Sequence, residues 1–217
     1  MKKFMIEIDN NSRVLFFGDS VTDIDFNRQY DHLLHGKQVY ALNIGEEIKK
    51  KFPNAEVFYK GIVDDRTYNL CNRMDDDCIA LKPNVVIMLV GGNDAWEEYS
   101  PELCPPPNHT LESNMDELFS RMKNELDDVQ ILYVLPFLVD TLEEFHPFIK
   151  TLNRFRERLK LSAQANGIEV LDLQPVLDEA QKTFSPQELS ADSFHPTDLC
   201  HKIISDEILK HLSLDTE

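Results

Sequence analysis

The chain has 217 residues, 42% of them hydrophobic, with 39 Asp and Glu against 22 Lys and Arg and a net charge near -17. Length and apolar content suit one globular domain with a substantial core and exclude a wholly disordered chain. The acidic balance argues against nucleic acid or an anionic membrane surface as partner, since both are bound through positive patches.

The amino-terminal stretch, Met1 to Asn10, has two lysines but only a short, acid-interrupted apolar run, unlike a secretory signal. No segment reaches the length of a membrane span, so no membrane insertion is expected and the cytoplasm is the expected location. Cys71, Cys78, Cys104 and Cys200 form no C-x-x-C pair and read as reduced structural thiols. Nothing in the sequence sets an oligomeric state.

In chain order, the apolar run Val14–Phe17 ends abruptly at Gly18-Asp19-Ser20, which reads as a buried strand delivering a serine into a tight turn. Asp25 to Lys37 reads as polar loop. Ala41, Ile44, Ile48 and Phe52 have helical spacing, with lysines 49 to 51 in the last turn and Pro53-Asn54 as the stop. Ala55–Tyr59 is a second strand, leading to Gly61, and one helix is expected from Arg66 to Leu81, with Asp75 to Asp77 solvated. Asn84–Val90 is apolar on both faces, as in a central parallel strand, and ends at Gly91-Gly92-Asn93-Asp94.

Glu97 to Thr110 reads as a long loop stiffened by Pro105-Pro106-Pro107. Leu111, Met115, Leu118, Met122 and Leu126 form a helical stripe, the methionines reading as core filler. Val129–Val134 is the fourth strand. Thr141-x-x-Glu144 has the form of a capping box opening a helix over Phe145, Ile149, Leu152, Phe155 and Leu159, which Asn166-Gly167 ends. Ile168–Leu171 is the fifth strand. A short helix at Val176–Thr183, a polar loop from Ser185 to Pro196 and a last helix from Thr197 to Leu212 complete the chain. Strands alternating with helices predict an α/β fold, a parallel sheet covered on both faces.

In such a sheet every strand end that precedes a helix points to one rim, so Ser20, Gly61, Asn93 and the Asp192-x-x-His195 loop can meet. Their types fit acyl transfer. A serine hydroxyl needs a base, which His195 can be, and the imidazole needs an orienting acceptor, which Asp192 can be. The N–H groups of Ser20 and Gly61 and the amide of Asn93 can form an oxyanion hole. Taken singly, each has a plainer reading: Ser20 as a helix cap, Asn93 as a turn residue, Gly61 as a site of positive φ. Asp19, Asp94 and Asp172 read as turn and cap residues. His32, His35, His109, His146, His201 and His211 read as surface or structural.

Gly18-Asp19-Ser20, Gly61, Gly91-Gly92-Asn93-Asp94 and Asp192-x-x-His195 resemble, in order and spacing, the four blocks of the SGNH hydrolases, or GDSL-type esterases and lipases. The resemblance runs from about Val14 to Ile204. It implies a flavodoxin-like three-layer α/β/α sandwich of about five parallel strands, with Ser20 as nucleophile, His195 as base and acid, and Asp192 as its partner. It implies Ser20, Gly61 and Asn93 as oxyanion donors, a small-molecule ester as substrate, and no cofactor or metal. Two departures stand out. The leucine of the GDSL name is absent, and where many relatives read Gly-Ile-Ser-Gly this chain reads Gly61-Ile62-Val63-Asp64.

The expected function is hydrolysis of a carboxylic ester through an acyl-serine, with a short acyl group such as acetyl on a sugar. The alternatives are a metal-dependent phosphoesterase using Asp19, Asp94, Asp172, Asp192 and His195, and a non-catalytic binding protein on the same fold. The segments Asp25–Lys37 and Trp96–Thr110 are expected to border the pocket.

Overall fold

The computed structural model describes residues 5–25, 38–102 and 110–214, and its strands sort side chains to two faces by alternation. Val14 and Phe16 enter one apolar cluster, Leu15 and Phe17 the other. Val85, Ile87 and Leu89 divide from Val86, Met88 and Val90 in the same way. Both faces are therefore buried, as the unbroken apolar runs predict, and each such side chain contributes about 1.5–3 kcal/mol of burial.

The central sheet is β2 (Arg13–Gly18), β3 (Glu56–Gly61), β4 (Val85–Leu89), β5 (Gln130–Val134) and β6 (Glu169–Leu171), all parallel, in spatial order β3-β2-β4-β5-β6. This is the flavodoxin-like order, and its switch point lies between β2 and β4. On one face lie α1 (Tyr40–Lys51), α7 (Gln174–Ala180) and α9 (Asp198–Leu209). On the other lie α2 (Thr67–Asn72), α3 (Met74–Asp77), α4 (Gly92–Tyr99), α5 (Leu111–Glu125) and α6 (His146–Ala165). The three layers and the parallel sheet agree with expectation.

Several boundaries differ. The single helix expected over Arg66–Leu81 is broken into α2, α3 and a 3-10 turn at Ile79–Leu81. Arg73 is the break: its side chain is drawn back under the sheet to Gly18, Lys60 and Asp65. Residues 97–99, expected as loop, are the last turn of α4. Thr141 caps no helix; its hydroxyl donates to the carbonyls of Pro186 and Ser190, and α6 begins only at His146. The loop before the last helix contains a one-turn helix, α8 (Pro186–Leu189). The last helix stops at Leu209, freeing Leu212 for β7 (Leu212–Ser213), which pairs in parallel with β1 (Ile6–Glu7). Residues 26–37 and the proline triplet, which the sequence reading placed in loops, lie outside the described residues, as does Cys104.

Candidate active site

Ser20 comes off the carboxyl end of β2 in a turn that only glycine can enter. A Cβ at Gly18 would lie 2.2 Å from the Leu89 carbonyl oxygen. The Asp19 N–H donates to that same carbonyl at 3.3 Å, and the Asp19 carboxylate accepts the Val21 N–H at 3.1 Å. Ser20 is held, nearly buried, at the floor of a cleft beside the switch point.

His195 reaches it from the far end of the chain. Ser20 Oγ lies 3.0 Å from His195 Nε2, and His195 Nδ1 lies 2.6 Å from Asp192 Oδ2. The other Asp192 oxygen accepts the N–H groups of Phe194 and His195 at 2.9 and 2.8 Å. One carboxylate thus folds the loop and orients the ring. Burial alone would raise the Asp192 pKa; the hydrogen bond and charge of His195, with the two main-chain N–H groups, outweigh it and hold it at about 2. With Nδ1 protonated toward Asp192, Nε2 presents its lone pair to the serine hydroxyl. The loop is pinned by Ser193, whose φ is 75, whose carbonyl accepts from Val139 and whose hydroxyl accepts from Leu142.

Asn93 sits in the first turn of α4, not in a free turn, after Gly91 at φ 118. Its Nδ2 donates to the Asp65 carbonyl at 2.9 Å, leaving the second amide hydrogen for the cleft that Asn93 lines. Asp94, read as a turn residue, is a tie between elements instead. It accepts the N–H and hydroxyl of Thr67 at the start of α2, and Asn114 donates to that hydroxyl at 3.0 Å. Burial raises Asp94 to about 6 and Asp19 to about 7, against the opposing hydrogen bonds of Thr67 and Val21 respectively.

The expectation for Gly61 needs correction. Ile62 donates to Gly18 on the neighbouring strand, so the Gly61 N–H, one residue back, points away from β2 and Ser20. A Cβ at Gly61 would lie 2.3 Å from Asp23 N, so this glycine permits close packing under the serine turn. The residue of this segment that lines the cleft is Asp64. It has a φ of 63 in a turn closed by the Asp65 N–H on the Ile62 carbonyl. Its own N–H meets no acceptor among the described residues. The signal for it is that Asp64 stands where many relatives carry the second glycine of Gly-Ile-Ser-Gly.

The cleft holds about 190 Å³ and is walled by Trp96, Pro136, Phe137 and Phe194. Trp96 both lines it and packs, its ring centroid 5.2 Å from Phe148 and 5.5 Å from Phe194. A larger hollow of about 1000 Å³ opens at the amino ends of the strands, beside Arg13, Asn84 and Gln130, and includes neither serine nor histidine of the pair above. Asp172 lies apart, paired with Arg156 and accepting the Gln174 N–H at 3.0 Å. No three His, Cys, Asp or Glu side chains among the described residues are grouped to hold a metal ion. His201 is structural: burial lowers it to about 3, and its Nδ1 accepts the Tyr40 N–H at 3.2 Å.

The family described as GDSL-like lipase/acylhydrolase matches residues 16–203. An acetylxylan esterase of Geobacillus stearothermophilus is 25% identical over 216 residues, covering 97% of this chain and 98% of its own. A structure of a catalytic mutant of an acetylxylan esterase from that organism superposes with a TM-score of 0.79 at 24% identity, covering 97% of each chain. An α/β hydrolase from the metagenome of Lake Arreo, Spain, gives 0.77 at 20% identity, covering 94% of this chain and 96% of its own.

Proposed function

The chain belongs to the GDSL-like lipase/acylhydrolase family, and as a carboxylic ester hydrolase of that kind we propose that it removes acetyl groups from sugar hydroxyls through an acyl-serine. The observation that carries this is the Ser20–His195–Asp192 relay at 3.0 and 2.6 Å, at the floor of a small cleft. The relative named for acetylxylan supports the acyl group and the alcohol.

Ser20 Oγ attacks the ester carbonyl while His195 Nε2 takes its proton, and Asp192 stabilises the imidazolium that forms. The carbonyl oxygen becomes an oxyanion that receives hydrogen bonds from the Ser20 N–H, the Asp64 N–H and Asn93 Nδ2. Collapse breaks the bond to the alcohol, which leaves with the proton from His195. Water, deprotonated by the same imidazole, then releases acetate from Ser20. Three described cysteines, Cys71, Cys78 and Cys200, are unpaired thiols, which supports a reducing, cytoplasmic setting.

The test is acetate release from acetylated xylo-oligosaccharides and p-nitrophenyl acetate by wild type and Ser20→Ala, with fluorophosphonate labelling. Activity and label that both vanish in Ser20→Ala are expected. Equal activity in the two proteins overturns the assignment.

A further inference from the structure

Asp64 occupies a position of positive φ, a conformation that glycine adopts most readily. The turn Ile62–Asp65 carries positive φ at its third position, where type II turns take Gly or Asn. Its frame is firm. The Val63 N–H donates to Asp23 Oδ2 at 3.1 Å, the Asp64 carbonyl accepts from Arg66 Nη1 at 3.1 Å, and Arg66 pairs with the buried Glu97 at 3.1 Å. The side chain that results is exposed and borders the catalytic cleft. Among the described residues neither a cation nor an N–H meets its carboxylate. The other walls, Trp96, Pro136, Phe137 and Phe194, carry no charge, and the nearby Asp19 is buried beneath Ser20.

We infer that Asp64 sets the charge of the alcohol that the enzyme accepts, its carboxylate at the cleft rim disfavouring anionic esters and favouring neutral polyhydroxyl or cationic ones. This rests on the ester-hydrolase reading above. A unit charge beside a partly apolar cleft acts on a substrate charge a few ångströms away with little water between them, so it discriminates more than the same charge elsewhere on the surface. A hydroxyl-rich alcohol donates hydrogen bonds to the carboxylate; a carboxylate-bearing alcohol brings a second negative charge against it. Asp64 is thereby given two separable parts: its N–H as the oxyanion donor proposed above, and its carboxylate as the charge at the cleft rim. A glycine retains the first and deletes the second.

The experiment uses three acetates of one skeleton: phenyl acetate, 3-acetoxybenzoate and 3-acetoxyphenyl-trimethylammonium. kcat/KM is measured for wild type, Asp64→Asn, Asp64→Gly and the control Asp127→Asn, which removes a charge from an exposed position at the opposite end of the sheet. Comparing each variant with wild type cancels the intrinsic reactivity of the esters. In both Asp64 variants the anionic-to-neutral ratio rises roughly tenfold and the cationic-to-neutral ratio falls. The control leaves both ratios in place, and about 0.5 M salt shrinks the wild-type discrimination. Should Asp64→Asn disturb the turn, Asp64→Gly, at ease with positive φ, decides. Ratios that move less than about twofold in both Asp64 variants, or equally in the control, overturn the inference. If wild type hydrolyses none of the three and takes no fluorophosphonate, the ester reading falls and the inference with it. If phenyl acetate is hydrolysed, only the charge filter is at stake.

Discussion

Arg73 donates from Nη2 to the carbonyl of Gly18 at 2.9 Å, across 55 residues of chain, and from the same nitrogen to Lys60 at 3.1 Å. Its Nε meets Asp65 Oδ2 at 2.7 Å, and its guanidinium lies 4.6 Å from the centroid of the Phe17 ring. One side chain thus ties the ends of β2 and β3 to the residue whose carbonyl holds Asn93. Arg73→Ala strands the buried Asp65 carboxylate and is expected to cost on the order of 3 kcal/mol of stability. Because the loss also loosens Asn93, kcat is expected to fall roughly tenfold with KM little changed. Denaturant unfolding and steady-state kinetics check both. Arg73→Lys restores charge but not the fork, and is expected to recover stability better than kcat.

Asp192→Asn keeps an oxygen for the N–H groups of Phe194 and His195, so the loop is expected to stay folded. It removes the charge opposite His195 Nδ1 and favours the wrong tautomer. The expected drop in kcat is about 10⁴-fold at nearly unchanged KM, with a lowered melting temperature because the stabilised Asp192 charge is gone.

Asp19 gives a pH prediction of defined sign. Burial raises its folded pKa from the ordinary 3.8 to about 7, so the folded chain holds that proton more tightly than the unfolded one. The resulting stability is complete below the unfolded value and is lost as pH rises through about 7. Asp19→Asn can still accept the Val21 N–H and has no charge to bury. It is expected to match wild type near pH 4 and to exceed it near pH 8 by no more than about 4 kcal/mol. Thermal melts of both proteins across that range test this. Asp192 acts in the opposite sense, its contribution being lost as pH falls through about 2.

On the proposed function, the cleft of about 190 Å³ between Trp96, Pro136, Phe137 and Phe194 would limit the acyl length. Acetate and propionate esters are expected to be cleaved well, with kcat/KM falling about tenfold or more for each further methylene that does not fit. Trp96→Ala opens the wall and is expected to move the optimum to longer chains. A p-nitrophenyl ester series measures both, and an unshifted profile would place the acyl group elsewhere.

The strands were legible because burial on both faces leaves unbroken apolar runs, as in Val85–Leu89. Ser20, Asn93, Asp192 and His195 stood out because their types recur at strand ends and in the loop before the last helix; Ser20, Asn93 and His195 line one cleft, and Asp192 holds His195 from outside it. Gly61 misled: a glycine after a strand looks like a donor, yet close packing against Asp23 also demands one. Asp64 was passed over, although it stands at the second glycine of the relatives' Gly-Ile-Ser-Gly, because an aspartate side chain does not announce a backbone donor at positive φ. The break at Arg73 was hidden because its partners, Gly18 and Lys60, are remote in sequence. The Thr141 pattern was locally sound but lost to the carbonyls of Pro186 and Ser190, which only tertiary structure supplies.

The hydroxyl of Ser20 and the ring of His195 meet across 175 residues of chain. Such a contact is among the costliest in loop closure and forms only once the intervening strands and helices have docked. No partly assembled species, however compact, holds both. Turnover therefore reports completion: in refolding, regained activity would lag helix content and core fluorescence, and its half-time would mark the last event on the pathway.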